Sequence, residues 1–138
     1  MADKLKVAIT NGQKDFKIPT GIRLLIRKCC HAVLQTEEMS GNYEVSVSFV
    51  DEEYIRQLNK QHRGKDTPTD VLSFPTGSGG EYDIDKETGA SMLGDIALSI
   101  PHVYRQAEQY GHDIRREFAY LTYTRCCILS ATTTRTAV

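Results

Sequence analysis

Tyr43-Glu44-Val45-Ser46-Val47-Ser48-Phe49 is the stretch that decides the fold class. Four large apolar side chains alternate with Glu and Ser, a period of two that predicts a β-strand with one buried face. Upstream, Leu5, Val7 and Ile9 alternate with Lys6 and Ala8 as a first strand that Asn11-Gly12 ends. Between the two, Ile22, Leu25, Ile26, Cys29 and Val33 recur at helical spacing behind Thr20, which predicts an amphipathic helix capped by that threonine. Ser40-Gly41-Asn42 breaks the chain before the second strand.

Downstream, Asp51 suits the N-cap of a short helix holding Ile55 and Leu58, and a polar stretch runs from Asn59 to Asp70. Val71-Leu72-Ser73-Phe74 is a short strand closed by Pro75, and a loop opens at Gly77-Ser78-Gly79-Gly80 and continues to about Met92. Gly94–Leu98 is the fourth strand. Ser99 and Pro101 then start a helix with Val103, Ala107 and Tyr110 on its apolar face and Gly111 as its stop. Asp113 starts a last helix with Ile114, Phe118 and Leu121 facing inward. The order predicts one α/β (α+β) domain, a four-stranded, mostly mixed sheet with packed helices.

The 138 residues suit one domain, and 40% hydrophobic with 25% charged residues lie near the globular average. Seventeen Lys and Arg against eighteen Asp and Glu leave a formal net charge of −1. That excludes a globally basic coat for nucleic acid but not a local basic loop. No apolar run approaches a membrane span, and Met1-Ala2-Asp3-Lys4 lacks the apolar core of a signal peptide. A cytoplasmic protein with no membrane partner is expected. The four cysteines form two adjacent pairs, Cys29-Cys30 and Cys126-Cys127, without CxxC spacing, and are expected to be reduced thiols, the first pair partly buried. Nothing in the sequence requires the two pairs to meet.

His62-Arg63-Gly64-Lys65-Asp66-Thr67-Pro68-Thr69-Asp70 is the densest polar constellation. Gly64 and Pro68 shape a rigid turn, Arg63 offers a planar fork for phosphate oxygens, and Lys65 adds a point charge. This is either a phosphate or RNA contact or a solvated loop in which Asp66 and Asp70 pair internally. Asp95, in Leu93-Gly94-Asp95-Ile96, either orients a ligand or bonds backbone amides at a strand end. His31, His102 and His112 are scattered, and no pair has the i, i+4 spacing of a helical metal site.

The block from Asn59 to Pro75 resembles the signature of the YbeY-type rRNA maturation endoribonucleases. Leu93-Gly94-Asp95-Ile96 is similar to the family's second block, and Arg116-Glu117-Phe118-Ala119-Tyr120-Leu121-Thr122 to the run into its third. The resemblance spans residues 1–122. The family's third block is a zinc motif like that of zinc proteases, His-x-x-x-His followed by Gly-Tyr-Asp-His, and it should begin at Tyr123. In its place stands Thr-rich text, five threonines among the last sixteen residues, whose β-branched run Thr132-Thr133-Thr134 is poor for continuing a helix.

Shifted by one base, so that each codon takes the last base of one residue and the first two of the next, that text changes. Tyr123-Thr124 then permits His, Cys126-Cys127 gives only Leu, Cys127-Ile128 permits His and Ser130-Ala131 permits Gly. Ala131-Thr132-Thr133-Thr134 permits Tyr-Asp-His. The family motif reappears at its own spacing, so a frameshift near Leu121–Tyr123 is expected, dividing residues 1–122, an incomplete endoribonuclease-like domain, from an out-of-frame tail, residues 123–138.

The resemblance implies a zinc-dependent, zinc-hydrolase-like endoribonuclease of single strands that matures the 3′ end of 16S rRNA and serves ribosome quality control. Its partners would be rRNA and the small ribosomal subunit, and not DNA. It assigns Arg63 a catalytic role on the phosphate, His62 and Lys65 substrate contact, and Asp66, Asp70 and Asp95 structural support. The zinc ligands are missing, so this form is expected to be inactive. A non-catalytic rRNA- or ribosome-binding remnant and a metal hydrolase of another substrate are the competing readings.

Overall fold

The central strand of the sheet comes late in the chain. In the computed structural model, residues 4–39, 41–76 and 82–134 are described, and they form β1 (Lys4–Asn11), α1 (Ile22–Thr36), β2 (Asn42–Val50), α2 (Glu52–Arg63), β3 (Val71–Pro75), β4 (Asp83–Ile84), β5 (Ser91–Ser99), α3 (Ile100–Tyr110) and α4 (Ile114–Thr134). The strand order is β1-β2-β5-β3. β1 and β2 are parallel, β2 and β5 are parallel, and β3 and β4 both run antiparallel to β5.

The sheet therefore has five strands where the sequence predicts four. The extra one, β4, is two exposed residues long and pairs with Ser91 and Met92, which extend β5 beyond its predicted start at Gly94. Two residues cannot display a period-two pattern, so β4 was hidden within the expected 77–92 loop. The Gly77–Gly80 part of that loop, Ser40 and the last four residues lie outside the described residues.

The alternation around Val45 does what it predicts. Val45, Val47 and Phe49 are buried against α1 and α4, together with Val7, Leu93, Ile96 and Leu98. On the opposite face, α2 covers one end of the sheet through Ile55 and Leu58, which pack on Val50, Leu72, Ala97 and Phe74. The rest of that face carries Lys6, Glu44, Ser46 and Asp95 around a cavity of about 180 Å³.

Three local readings are corrected. The inward face of α1 is Ile22, Ile26, Cys30, Val33 and Leu34, so Cys30 rather than Cys29 is fully buried and Leu25 lies at the margin. Its N-cap is Gly21, at φ 90°, and not Thr20. The Thr20 carbonyl instead accepts a hydrogen bond of 2.9 Å from the Arg115 guanidinium. Tyr110 is 60% exposed, while Ile100, Val103 and Ala107 form the buried face of α3.

The last helix departs most from expectation. It continues through the Thr-rich text to Thr134. Thr122, Cys126, Leu129 and Ser130 extend the buried stripe begun by Phe118 and Leu121, so tertiary burial overrides the poor intrinsic propensity. Hydroxyls bond back into the helix, Thr124 Oγ1 to the Tyr120 carbonyl (2.9 Å) and Ser130 Oγ to the Cys127 carbonyl (3.1 Å). The Tyr82 hydroxyl donates to the Leu129 carbonyl (2.8 Å), tying the segment before β4 to this helix.

Candidate nucleic-acid interface

The sequence places His62 and Arg63 in a polar loop, but both belong to the last turn of α2. Asp51 starts that helix by accepting from the Tyr54 amide (2.8 Å), and Gly64, at φ 71°, ends it. The amides of Gly64 and Lys65 donate to the carbonyls of Lys60 (3.1 Å) and Asn59 (3.3 Å), a left-handed C-terminal cap that requires glycine for its backbone. Asn59, buried, adds a clamp: its Nδ2 donates to the Thr67 carbonyl across the turn (2.8 Å).

Asp66 is held by Arg56, with Nε to Oδ1 at 2.8 Å and Nη2 to Oδ2 at 3.3 Å, and Lys60 lies 3.9 Å away. The Arg56 hydrogen bonds hold the Asp66 carboxyl below the usual carboxylate range. The acid of the turn is thus occupied by cations other than Arg63 and Lys65. Those two side chains are exposed, and neither makes a hydrogen bond or ion pair among the described residues. Arg63 and Lys65 thus stand at the helix C-terminus, where positive charge is favoured, on a turn held by Asn59 at one end and Asp70 at the other.

Asp70 closes the turn. Its Oδ1 accepts from the Val71 amide (2.8 Å) and the Thr69 hydroxyl (3.3 Å), its Oδ2 from Gln106 of α3 (3.3 Å), and its carbonyl from the Ser99 amide (2.8 Å). The His62 ring lies 4.7 Å from the Phe74 ring, and Phe74 is registered opposite Asp95. Directly opposed residues share a face, so His62, Phe74 and Asp95 stand on the outer side of the sheet. Asp95 is exposed and accepts no hydrogen bond among the described residues, unlike a strand-end carboxylate bonded to amides.

Two contacts were not legible in the sequence. Glu117, buried, sits 3.2 Å from His112 Nδ1 across the α3–α4 corner. The two cysteine pairs also meet: Cys126 of α4 and Cys30 of α1 are buried in one core cluster, and the neighbouring Cys30 thiol together with burial raises the Cys126 thiol far above its ordinary value. Burial likewise raises Cys29. No disulfide joins cysteines among the described residues.

The donors present do not fit a zinc centre. Among the described residues no three His, Cys, Asp or Glu side chains gather where they could hold an ion. The α4 positions at which the family motif would supply its first two ligands carry Tyr123, Thr124, Cys127 and Ile128. No helix among the described residues is long and apolar enough to cross a membrane.

The family described as Endoribonuclease YbeY matches residues 8–124. An Endoribonuclease YbeY of Desulforamulus reducens is 40% identical over 118 residues, covering 86% of this chain and 76% of the relative. That of Halalkalibacterium halodurans is 46% identical over 101 residues, 70% of this chain and 64% of the relative, and that of a Thermoanaerobacter species 48% over 105 residues, 71% and 65%. The chain thus spans about two thirds to three quarters of these curated relatives. A solution structure of a Thermotoga maritima protein shares the fold, with a TM-score of 0.60 at 22% identity over 94% of this chain and 75% of that one.

Proposed function

Since the chain belongs to the YbeY endoribonuclease family, we propose that it binds single-stranded rRNA through the α2–β3 turn, and that cleavage in 3′-end maturation of 16S rRNA is the reaction its fold serves. The observation that carries this reading is the pair Arg63 and Lys65, projecting unpaired from a turn whose own acid is held by Arg56. Arg63 binds the scissile phosphate with its planar fork and stabilises charge developing there. Lys65 and His62 contact neighbouring parts of the strand. Asp66 and Asp70 hold the turn in shape, and Asp95 supports the same face. The small ribosomal subunit in the cytoplasm is the proposed setting.

Residues 123–138 are proposed to be read out of frame. The family match ending at residue 124 supports this, as does the recovery of the metal motif on a one-base shift. Zinc belongs to the frame-restored form. In the present form the residues do not fit it, and no hydrolytic step is assigned. Nothing favours a hydrolase of another substrate over the family reading.

The test compares this chain, the frame-restored chain and its Arg63→Lys variant on single-stranded rRNA at matched salt. The frame-restored protein should cut, Arg63→Lys should cut far more slowly with fold and zinc content intact, and the present chain should bind without cutting. Equal rates for the restored protein and its variant would remove Arg63 from the mechanism, and no RNA binding by any form would overturn the reading.

A further inference from the structure

Two tyrosines at the α3–α4 corner are strongly exposed, Tyr110 at 60% and Tyr120 at 64%. Both line one cleft of about 420 Å³, together with Asp70, Arg116 and the His112–Glu117 pair. The Tyr110 and His112 rings stand 6.0 Å apart, tilted by 39°. The charges around the cleft decide what it suits. Asp70 is bonded to the Val71 amide, Thr69 and Gln106, and Glu117 to His112, so both acids are engaged within the protein. Arg116 is exposed and its side chain makes no hydrogen bond or ion pair among the described residues. What remains offered outward is aromatic faces and one cation, the combination that holds an unpaired base and its phosphate. Asp70, which lines the cleft, is also the last residue of the turn that carries Arg63 and Lys65.

We propose that this cleft is a nucleotide subsite for single-stranded RNA, in which Tyr110 and Tyr120 stack on an unpaired base and Arg116 takes the adjoining phosphate. The inference rests on the RNA reading above and adds a second contact to it. Because every base has a π-face, the subsite tolerates any sequence and rejects duplex, whose bases are already stacked.

The experiment measures binding of the full 138-residue chain to a short fluorescent single-stranded RNA, its duplex, and the same strand made abasic. Tyr110→Ala and Tyr120→Ala should each weaken single-strand binding about 5- to 140-fold, while Tyr→Phe at either position should keep it. Neither alanine variant should weaken binding to the abasic strand further. Both side chains are largely exposed, so circular dichroism melting should show the variants folded. Wild-type affinity retained by both alanine variants, with Arg63→Ala still weakening binding, would overturn the subsite and leave the turn intact. Equal loss on intact and abasic strands would overturn the stacking. No binding by the wild type would overturn the RNA reading itself, and the subsite with it.

Discussion

Gly94→Ala is the sharpest test of how β3, β5 and α4 are fitted together. Gly94 lies in β5 at φ +148°, a conformation L side chains rarely adopt. A methyl group there would lie 2.3 Å from the Phe74 carbonyl oxygen, 2.9 Å from Pro75 Cα and 2.9 Å from Leu129 Cδ2. Leu129 can turn aside, but the other two atoms are backbone of the paired strand, so β3 itself must shift. The backbone conformation costs about 1–3 kcal/mol and the overpacking another ~1–3 kcal/mol, giving a loss of roughly 2–6 kcal/mol. A domain's whole stability is about 5–15 kcal/mol. Gly64→Ala is the control: φ is +71° but nothing lies within 4 Å of the added methyl, so only the conformational cost of about 1–2 kcal/mol applies. Urea denaturation of the two variants against the parent reads the difference. If Gly94→Ala cost no more than Gly64→Ala, the close approach of β3 to β5 described here would be wrong.

Three further outcomes follow from the same packing. Leu129→Ala should destabilise by about 2–5 kcal/mol, because Leu129 is fully buried on α4; a change below ~0.5 kcal/mol in urea titration would show that the end of this helix does not pack as described. Asp51→Ala should cost about 1 kcal/mol through loss of the cap to the Tyr54 amide, with Asp51→Asn largely retaining it. The Cys126 thiol is raised in the folded state by the neighbouring Cys30 thiol and by burial, so above the ordinary value of 9.0 the unfolded chain loses its proton first. Its stabilising contribution is complete below that pH and declines as pH rises beyond it, and Cys126→Ala should flatten the alkaline decline measured by denaturation.

The strands with regular alternation were legible because burial on one face writes itself into every second residue. Val45, Val47 and Phe49 show this, and so does Gly111, a predicted helix stop found in the left-handed conformation. Features depending on partners distant in the chain were not. Tyr110 fits the spacing of an apolar helical face, but α3 ends there and its ring is left outside. The turn from Asn59 to Asp70 was recognisable as a constellation, whereas the division of labour within it was not. That division depends on Arg56, a turn earlier in α2, taking Asp66, and on Asn59 reaching Thr67. α4 continues through residues of poor helix propensity because Cys126 and Leu129 fall in phase with Phe118. Intrinsic preference weighs little once a face has a core to cover.

The late position of β5 also bears on how the chain assembles during synthesis. β1, α1 and β2 form a parallel unit that can pair as soon as Val50 has been made, but β2's other edge finds its partner only when Ser99 follows. At roughly 5–20 residues per second, that edge waits about 2–10 s, with its backbone donors and acceptors open to any other nascent strand. Slowed translation between the two strands should therefore raise the aggregated fraction, and slowing after Ser99 should not.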